Sequence, residues 1–218
     1  MTFTGAPRTL TVLLVDDHAV VREGYRRLLE HDPTLKVVGE AATSAEALQR
    51  ESALEPDVTV LDIALPGVSG IETLRRILAR RPQARVLMFS MYQDGIFAQR
   101  ALDAGASGYL SKASAPERLV EAVRAVASGR RYLSPDIEQA LAARASPTLE
   151  LAQSLSAREL EILRLLIQGY DVAEIGARLG VSAKTIANHQ STIRQKLGAT
   201  NALQLMLAAR ELGLTAGD

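Results

Sequence analysis

A chain of 218 residues has room for one large domain or two small ones, each able to bury its own core. It contains no cysteine, which excludes a disulfide framework, a thiolate metal site and a thiol nucleophile. Its formal net charge of +0 argues against general adhesion to nucleic acid, although a local basic face can hide within that average.

The opening residues, MTFTGAPRTL, have no signal-peptide core, and no apolar run is long enough to span a bilayer. The expectation is a soluble cytoplasmic protein with no membrane insertion. Up to about Ser128, short apolar runs alternate with amphipathic stretches. The runs are Thr11–Val15, Lys36–Ala41, Val58–Leu61, Arg85–Ser90 and Gly108–Leu110. Continuous rather than alternating apolarity suits strands covered on both faces, and so a parallel sheet. Helix starts are readable between the runs: Thr43 with Glu46, Ser69 with Glu72 and Ser114 with Glu117 have capping-box spacing. Five strand–helix units predict a doubly wound α/β domain, which binds ligands at the carboxyl ends of its strands.

After Gly129 the pattern changes. Residues 129–153 read as a linker with a short helix, capped by Ser134, with Pro135 in its first turn and a stop near Pro147. From Ser156 onward only helical periodicity remains. Ser156 with Glu159 forms another capping box, Asp171 and Ser182 are N-caps, and Gly169, Gly180 and Gly198 are stops. The prediction is a small all-α domain of about four short helices.

The chemistry gathers at the predicted strand ends. Asp16 and Asp17 follow the first strand, Asp62 the third, Ser90 closes the fourth and Lys112 follows the fifth. Three close carboxylates need a cation, and oxygen-only ligation points to Mg²⁺. Beside such a metal Asp62 can act as a nucleophile toward phosphorus, Ser90 can donate to a phosphoryl oxygen, and Lys112 supplies a point charge. Taken singly, the acids read more readily as helix or loop caps, and Ser90 and Lys112 as ordinary strand-end and solvated residues. Their convergence from separate strands argues for a site.

The stretches LLVDDH, VLDIALPGVSGIE, MFS and GASGYLSKAS resemble the receiver domain of bacterial two-component response regulators over residues 8–128. The resemblance implies a flavodoxin-like, five-stranded parallel fold. It implies that Asp62 accepts a phosphoryl group from a sensor histidine kinase. Asp16 and Asp17 would hold Mg²⁺ together with Asp62 and a backbone carbonyl near Ala64, while Ser90 and Lys112 would contact the phosphoryl group. Tyr109 matches the aromatic switch residue whose ring moves inward as Ser90 engages the phosphate; read alone, it is a core aromatic on a late strand. Ser90 stands where Thr is common, Leu65 where Met precedes Pro66, and Ala113 where many receivers have Pro. None of these departures removes a required group.

Asp171 to Gly198 reads as helix–turn–helix. On a helical wheel Ile186, Gln190, Ile193 and Leu197 share the inward face, while Lys184, Asn188, Ser191 and Gln195 lie opposite, flanked by Ala187 and Arg194. Between Gly176 and Arg210 every charged residue is basic, a local cationic surface in a neutral chain. The plain alternative is a solvated helix in an interaction bundle. The stretch from Leu155 to Ala199 resembles the output domain of the LuxR/NarL/FixJ class, covering residues 154–213, with a final helix that the class uses for dimerisation on DNA. By their chemistry Lys184, Thr185, Arg194 and Lys196 are phosphate contacts, Asn188 is the best reader of adenine, and Ser191 is a weaker one. His189 is a packing or phosphate contact.

Together these imply a phosphorylation-controlled regulator that acts as a homodimer on a double-stranded DNA operator and admits RNA polymerase as a further partner. An enzyme, a Mg²⁺-dependent phosphatase or phosphotransferase, is disfavoured because Ala64 stands where a general acid would follow the nucleophile. A phosphorylation-independent DNA binder or adaptor is the remaining alternative.

Overall fold

The structure is a computed structural model that describes residues 8–143 and 154–214. Its first part alternates strand and helix: β1 (Leu10–Val15), α1 (Ala19–Glu30), β2 (Leu35–Ala41), α2 (Ser44–Leu54), β3 (Val58–Leu61), α3 (Gly70–Arg80), β4 (Val86–Ser90), α4 (Gly95–Asp103), β5 (Gly108–Ser111) and α5 (Glu117–Ala127). The strands are buried because helices cover both faces of the sheet; β3 and β4 are buried at every position. Pairing is parallel throughout, in the order β2-β1-β3-β4-β5-β6. Since β1 lies between β2 and β3, the chain switches direction across the sheet there, and a crevice opens at the carboxyl ends.

The sheet therefore has one strand more than the five expected. The extra strand, β6 (Tyr132–Leu133), lies in the predicted linker and pairs with Gly108 and Tyr109 of β5. Two residues are too few to carry a periodicity, and only the exposed edge of β5 recruits them. They lead into α6 (Pro135–Ala142), which starts at Ser134 and Pro135 as expected and packs on α4 and β5. The stop expected at Pro147 lies outside the described residues.

Most caps match their spacing. Thr43 accepts from the Glu46 amide, and Glu46 returns a carboxylate to the Ala42 amide. Ser69 caps α3, but through the Ile71 amide and not with Glu72, whose carboxylate pairs with Arg76 on the outer face of the helix. Ser114 does not cap α5. That helix begins at Glu117, with Pro116 setting its entry, and the Ser114 hydroxyl faces Asp136 of α6 instead.

The second part consists of α7 (Ala157–Ile167), α8 (Val172–Leu179), α9 (Ala183–Leu197) and α10 (Ala202–Glu211). Ser156 and Glu159 form a reciprocal capping box at α7, as Asp171 and Glu174 do at α8. Gly180 ends α8 in the left-handed conformation, φ 65°, and Ser182 caps α9 through the Thr185 amide, so α8 and α9 form a helix–turn–helix. Apolar side chains from α2, α3 and α4 form one continuous core with those of the helical part, whereas α1 and α5 cover a separate core on the other face of the sheet.

Candidate functional site

Sheet register brings the predicted residues together. Val15 is aligned with Leu61, so Asp16 and Asp62 leave neighbouring strands side by side. The Asp62 amide donates to Val15 O at 2.9 Å, which fixes that alignment past the last strand residue. On the other side Ser90 pairs with Ser111, and the Lys112 amide donates to Ser90 O at 2.9 Å. Lys112 Nζ then reaches back and hydrogen-bonds both Asp16 Oδ2 and Asp62 Oδ2. Asp16, Asp62 and Ser90 are all buried.

The α3 N-terminus closes in from below. The Gly70 amide donates to Ile63 O at 2.7 Å, and a Cβ at Gly70 would lie 1.9 Å from Asp62 O. Only glycine fits there. Asp62 Oδ1 accepts from the Ala64 amide at 3.3 Å, which leaves its Oδ2 facing Lys112.

Electrostatics within the pocket follow from one cation shared by two acids. Burial works against the Lys112 ammonium, but the carboxylates of Asp62 and Asp16 outweigh it and hold its pKa above the ordinary lysine value. Burial pushes the Asp62 carboxyl up; Lys112 opposes the shift without cancelling it, and the neighbouring Asp16 carboxylate adds to the rise. Asp17 is half-buried, and its Oδ1 lies 2.7 Å from His18 Nδ1. Ligating atoms of Asp16, Asp17 and His18 all lie within 4.8 Å of one another. His18 was not expected at the site; its place directly after the acid pair is the signal that marks it.

Tyr109 lies inward, fully buried, and its hydroxyl donates to Tyr92 O at 2.6 Å. The Tyr92 ring stacks on Phe97 with centroids 4.4 Å apart. Burial pushes both phenols far above their ordinary value, so both are neutral donors.

The helical part docks on this same edge of the sheet. The Gly67 amide donates to Leu179 O at 3.0 Å, and Gly180 lies against Pro66, where an added Cβ would come within 2.8 Å of the ring. Arg158 Nη2 donates to Leu65 O at 3.1 Å. Arg164 Nε donates to Asp94 Oδ2 at 2.6 Å, and its guanidinium sits 5.0 Å from the Tyr92 ring centroid. Thus the loops after β3 and β4, which border Asp62 and Ser90, contact the second domain, and Arg100 of α4 adds a hydrogen bond to Leu155 O at 2.7 Å.

Among the residues expected to face DNA, Lys184, Asn188 and Ser191 are exposed on the outer face of α9, opposite the buried Ile186 and Ile193. The docked arrangement leaves this face open. Thr185 and His189 are half-buried, and the Thr185 hydroxyl contacts the capping Ser182 hydroxyl at 2.8 Å. Arg194 is half-buried, with its Nε enclosed and without a hydrogen-bond partner among the described residues. Lys196 Nζ is held by both carboxylate oxygens of Glu159, at 2.9 and 2.7 Å. On α10, Leu205 packs inward while Leu203, Met206 and Leu207 are exposed.

Residues 12–124 match the family described as response regulator receiver domain, and residues 153–209 match the bacterial regulatory proteins of the luxR family. Response regulator UvrY of Shigella flexneri is 36% identical over 208 residues, covering 94% of this chain and 95% of that protein. Response regulator GacA of Pseudomonas aeruginosa is 35% identical over 208 residues, covering 94% of this chain and 97% of its own. Among solved structures, RcsB from Salmonella enterica serovar Typhimurium, bound to promoter rprA in the presence of the phosphomimetic BeF3-, superposes with a TM-score of 0.64 at 27% identity. That alignment covers 92% of this chain and 98% of RcsB. Among the described residues no helix is long and apolar enough to cross a membrane.

Proposed function

The chain belongs to the two-component response regulators of the NarL/FixJ class, which join a receiver to a LuxR-type DNA-binding domain, and from that premise we propose that Asp62 is the phosphoacceptor whose occupancy controls DNA binding by α9. One observation carries the reading: Lys112 Nζ bonds Asp16 and Asp62 together at the carboxyl ends of β1 and β3, with Ser90 on the next strand end. A nucleophile, a cation and a hydroxyl donor thus share one crevice. We take residues 8–128 as receiver, 129–153 as linker and 154–213 as output domain.

In this reading a sensor histidine kinase presents a phosphohistidine. An Asp62 carboxylate oxygen forms the O–P bond as the N–P bond breaks, and the imidazole leaves with that electron pair and takes a proton from solvent. Lys112 shifts from the carboxylates toward the phosphoryl oxygens, and the Ser90 hydroxyl donates to another of them. Asp16 and Asp17, whose ligating atoms lie within 4.8 Å of one another, and Asp62, joined to Asp16 through Lys112, are hard oxygen donors that would hold Mg²⁺; the ion would neutralise the charge that builds up on the phosphoryl oxygens during transfer. His18, beside Asp17, orients that carboxylate.

Control follows from where the output domain sits. Its reading face is open even when docked, so docking restrains its position rather than covering Asn188. A dimer reading two half-sites must place two recognition helices about 34 Å apart, and one copy held on its own receiver is not free to do so. The exposed Leu203, Met206 and Leu207 give the released domains an apolar surface for pairing.

Intact mass after incubation with a small-molecule phosphodonor tests the reading. The expected result is one added phosphoryl group that requires Mg²⁺ and is lost in Asp62→Ala. Modification that persists in Asp62→Ala would place the acceptor elsewhere.

A further inference from the structure

Glu161 of α7 is 0% exposed, and Ser69 and Asp62 of the first domain act on its carboxyl. Its Oε2 accepts from Arg158 Nη1 at 2.7 Å; Oε1 makes no hydrogen bond of ordinary geometry among the described residues, although the Ser69 hydroxyl lies close enough to favour the ionised carboxyl. Arg158 in turn donates to Leu65 O, three residues beyond Asp62. The groups whose charge or hydrogen bonding acts on the Glu161 carboxyl are Arg158 on its own helix, the Ser69 hydroxyl at the cap of α3 and Asp62 at the end of β3, and the Glu161 carboxylate in turn acts on Tyr92 after β4. The nearby Arg164 is already paired with Asp94. A buried carboxylate with one oxygen unpaired is a costly group to enclose, and here the charge on Asp62 is among those that act on it.

We propose that Glu161 is the output domain's sensor of charge at Asp62: phosphorylation adds negative charge in front of a buried, half-paired carboxylate, and repulsion lifts the output domain from the receiver. The inference rests on the reading of Asp62 as phosphoacceptor. An acyl phosphate replaces one carboxylate charge by about −2, so the pocket gains about one negative charge. No movement of Tyr109 is required, which agrees with its ring lying inward while the domains are docked.

The proton sets the size of the effect. Burial, opposed by Arg158 and the Ser69 hydroxyl and reinforced by Asp62, pushes the Glu161 carboxyl up to about 7. Around neutrality the docked carboxylate can escape repulsion by taking up a proton, which limits the coupling. At pH 8 that escape is an order of magnitude less available, so the ratio of undocked to docked protein rises by about tenfold on phosphorylation.

The chain has no cysteine, so thiols introduced as Arg27→Cys and Ala173→Cys at exposed positions of α1 and α8 accept a donor–acceptor dye pair. Energy transfer in the full-length protein at pH 8 is recorded before and after phosphorylation, with incorporation counted by intact mass. Expected is loss of transfer in the otherwise native protein, and unchanged transfer in Glu161→Gln at equal incorporation. A second variant needs no phosphorylation: Ser69→Asp keeps a good N-cap residue and places a charge in front of Glu161. It is expected to lose transfer unmodified and to regain it when combined with Glu161→Gln. Equal loss of transfer in Glu161→Gln on phosphorylation, or no loss in Ser69→Asp, would overturn the assignment. Absence of incorporation in the native pocket would overturn the reading of Asp62 instead, and Ser69→Asp would still report on Glu161.

Discussion

The Tyr109 hydroxyl donates to the backbone carbonyl of Tyr92 at 2.6 Å, so the aromatic ring on β5 braces the loop after β4 from inside. The outer side of that loop carries Arg164 of α7, over the Tyr92 ring and against Asp94. One short loop beside Ser90 is therefore held by the receiver core on one side and by the output domain on the other.

Tyr109→Phe removes the donor and leaves Tyr92 O buried without it. The expected loss in stability is about 1–3 kcal/mol, the range for an orphaned buried acceptor. Denaturant unfolding with an unchanged slope and a lower midpoint checks it.

Arg164→Ala leaves the buried Asp94 carboxylate without its guanidinium partner from α7. Removing one member of a buried pair is worth about 3–5 kcal/mol where the remaining charge cannot reach water. Here undocking returns Asp94 to water, so the variant is expected to undock rather than unfold. Small-angle scattering should show a larger radius of gyration without phosphorylation, at an unchanged helix content. An unchanged radius would mean that this pair does not hold the domains together.

Lys112→Met removes the cation between Asp16 and Asp62 and leaves two neighbouring carboxylates. The variant is expected to melt at a lower temperature near neutral pH, and to gain more from added Mg²⁺ than the native protein does. Thermal melts with and without the ion decide this.

Docking should also depend on pH through Glu161. Its docked value of about 7 lies above the ordinary 4.5, so between those values the docked form holds a proton that the undocked form has released. The favourable contribution is complete below pH 4.5 and is lost as pH rises through 7. Transfer between the dye pair should therefore fall from pH 6 to pH 8 in the unmodified protein and stay level in Glu161→Gln.

On α9 the outward side chains divide by role. Lys184→Ala should weaken binding to all sequences and reduce the salt slope by about one. Asn188→Ala should cost about 1–3 kcal/mol on the preferred site and relax its specificity. Lys196→Ala, by contrast, breaks the pair with Glu159 and should appear first as lost stability of the output domain. Binding isotherms across a salt series, read beside thermal melts, separate the three.

Much of this arrangement was legible because strand ends are local. An apolar run that stops at Val15 or Leu61 presents the next residue at the crevice, and parallel register does the rest. The two faces of α9 were likewise readable, since buried Ile186 and Ile193 recur at the helical period. What escaped depends on contacts distant in sequence. Glu161, Arg158 and Arg164 belong to no motif in the sequence, and only docking against Leu65, Tyr92 and Asp94 brings them near the loops that border Asp62. β6 was hidden for the same reason, as its two residues become a strand only beside β5. The Ser114 cap failed locally, because Pro116 is the better first-turn residue and displaced the start of α5 to Glu117.

The central claim is that occupancy of Asp62 controls DNA binding. A fragment selected from genomic DNA by the phosphodonor-treated protein supplies the probe, and its Kd is measured for unmodified, phosphorylated and phosphodonor-treated Asp62→Ala protein at one salt concentration. The predicted result is tighter binding by about tenfold for the phosphorylated protein alone, with the other two equal. Equal affinity in all three would contradict the account and leave α9 as a constitutive DNA-binding element.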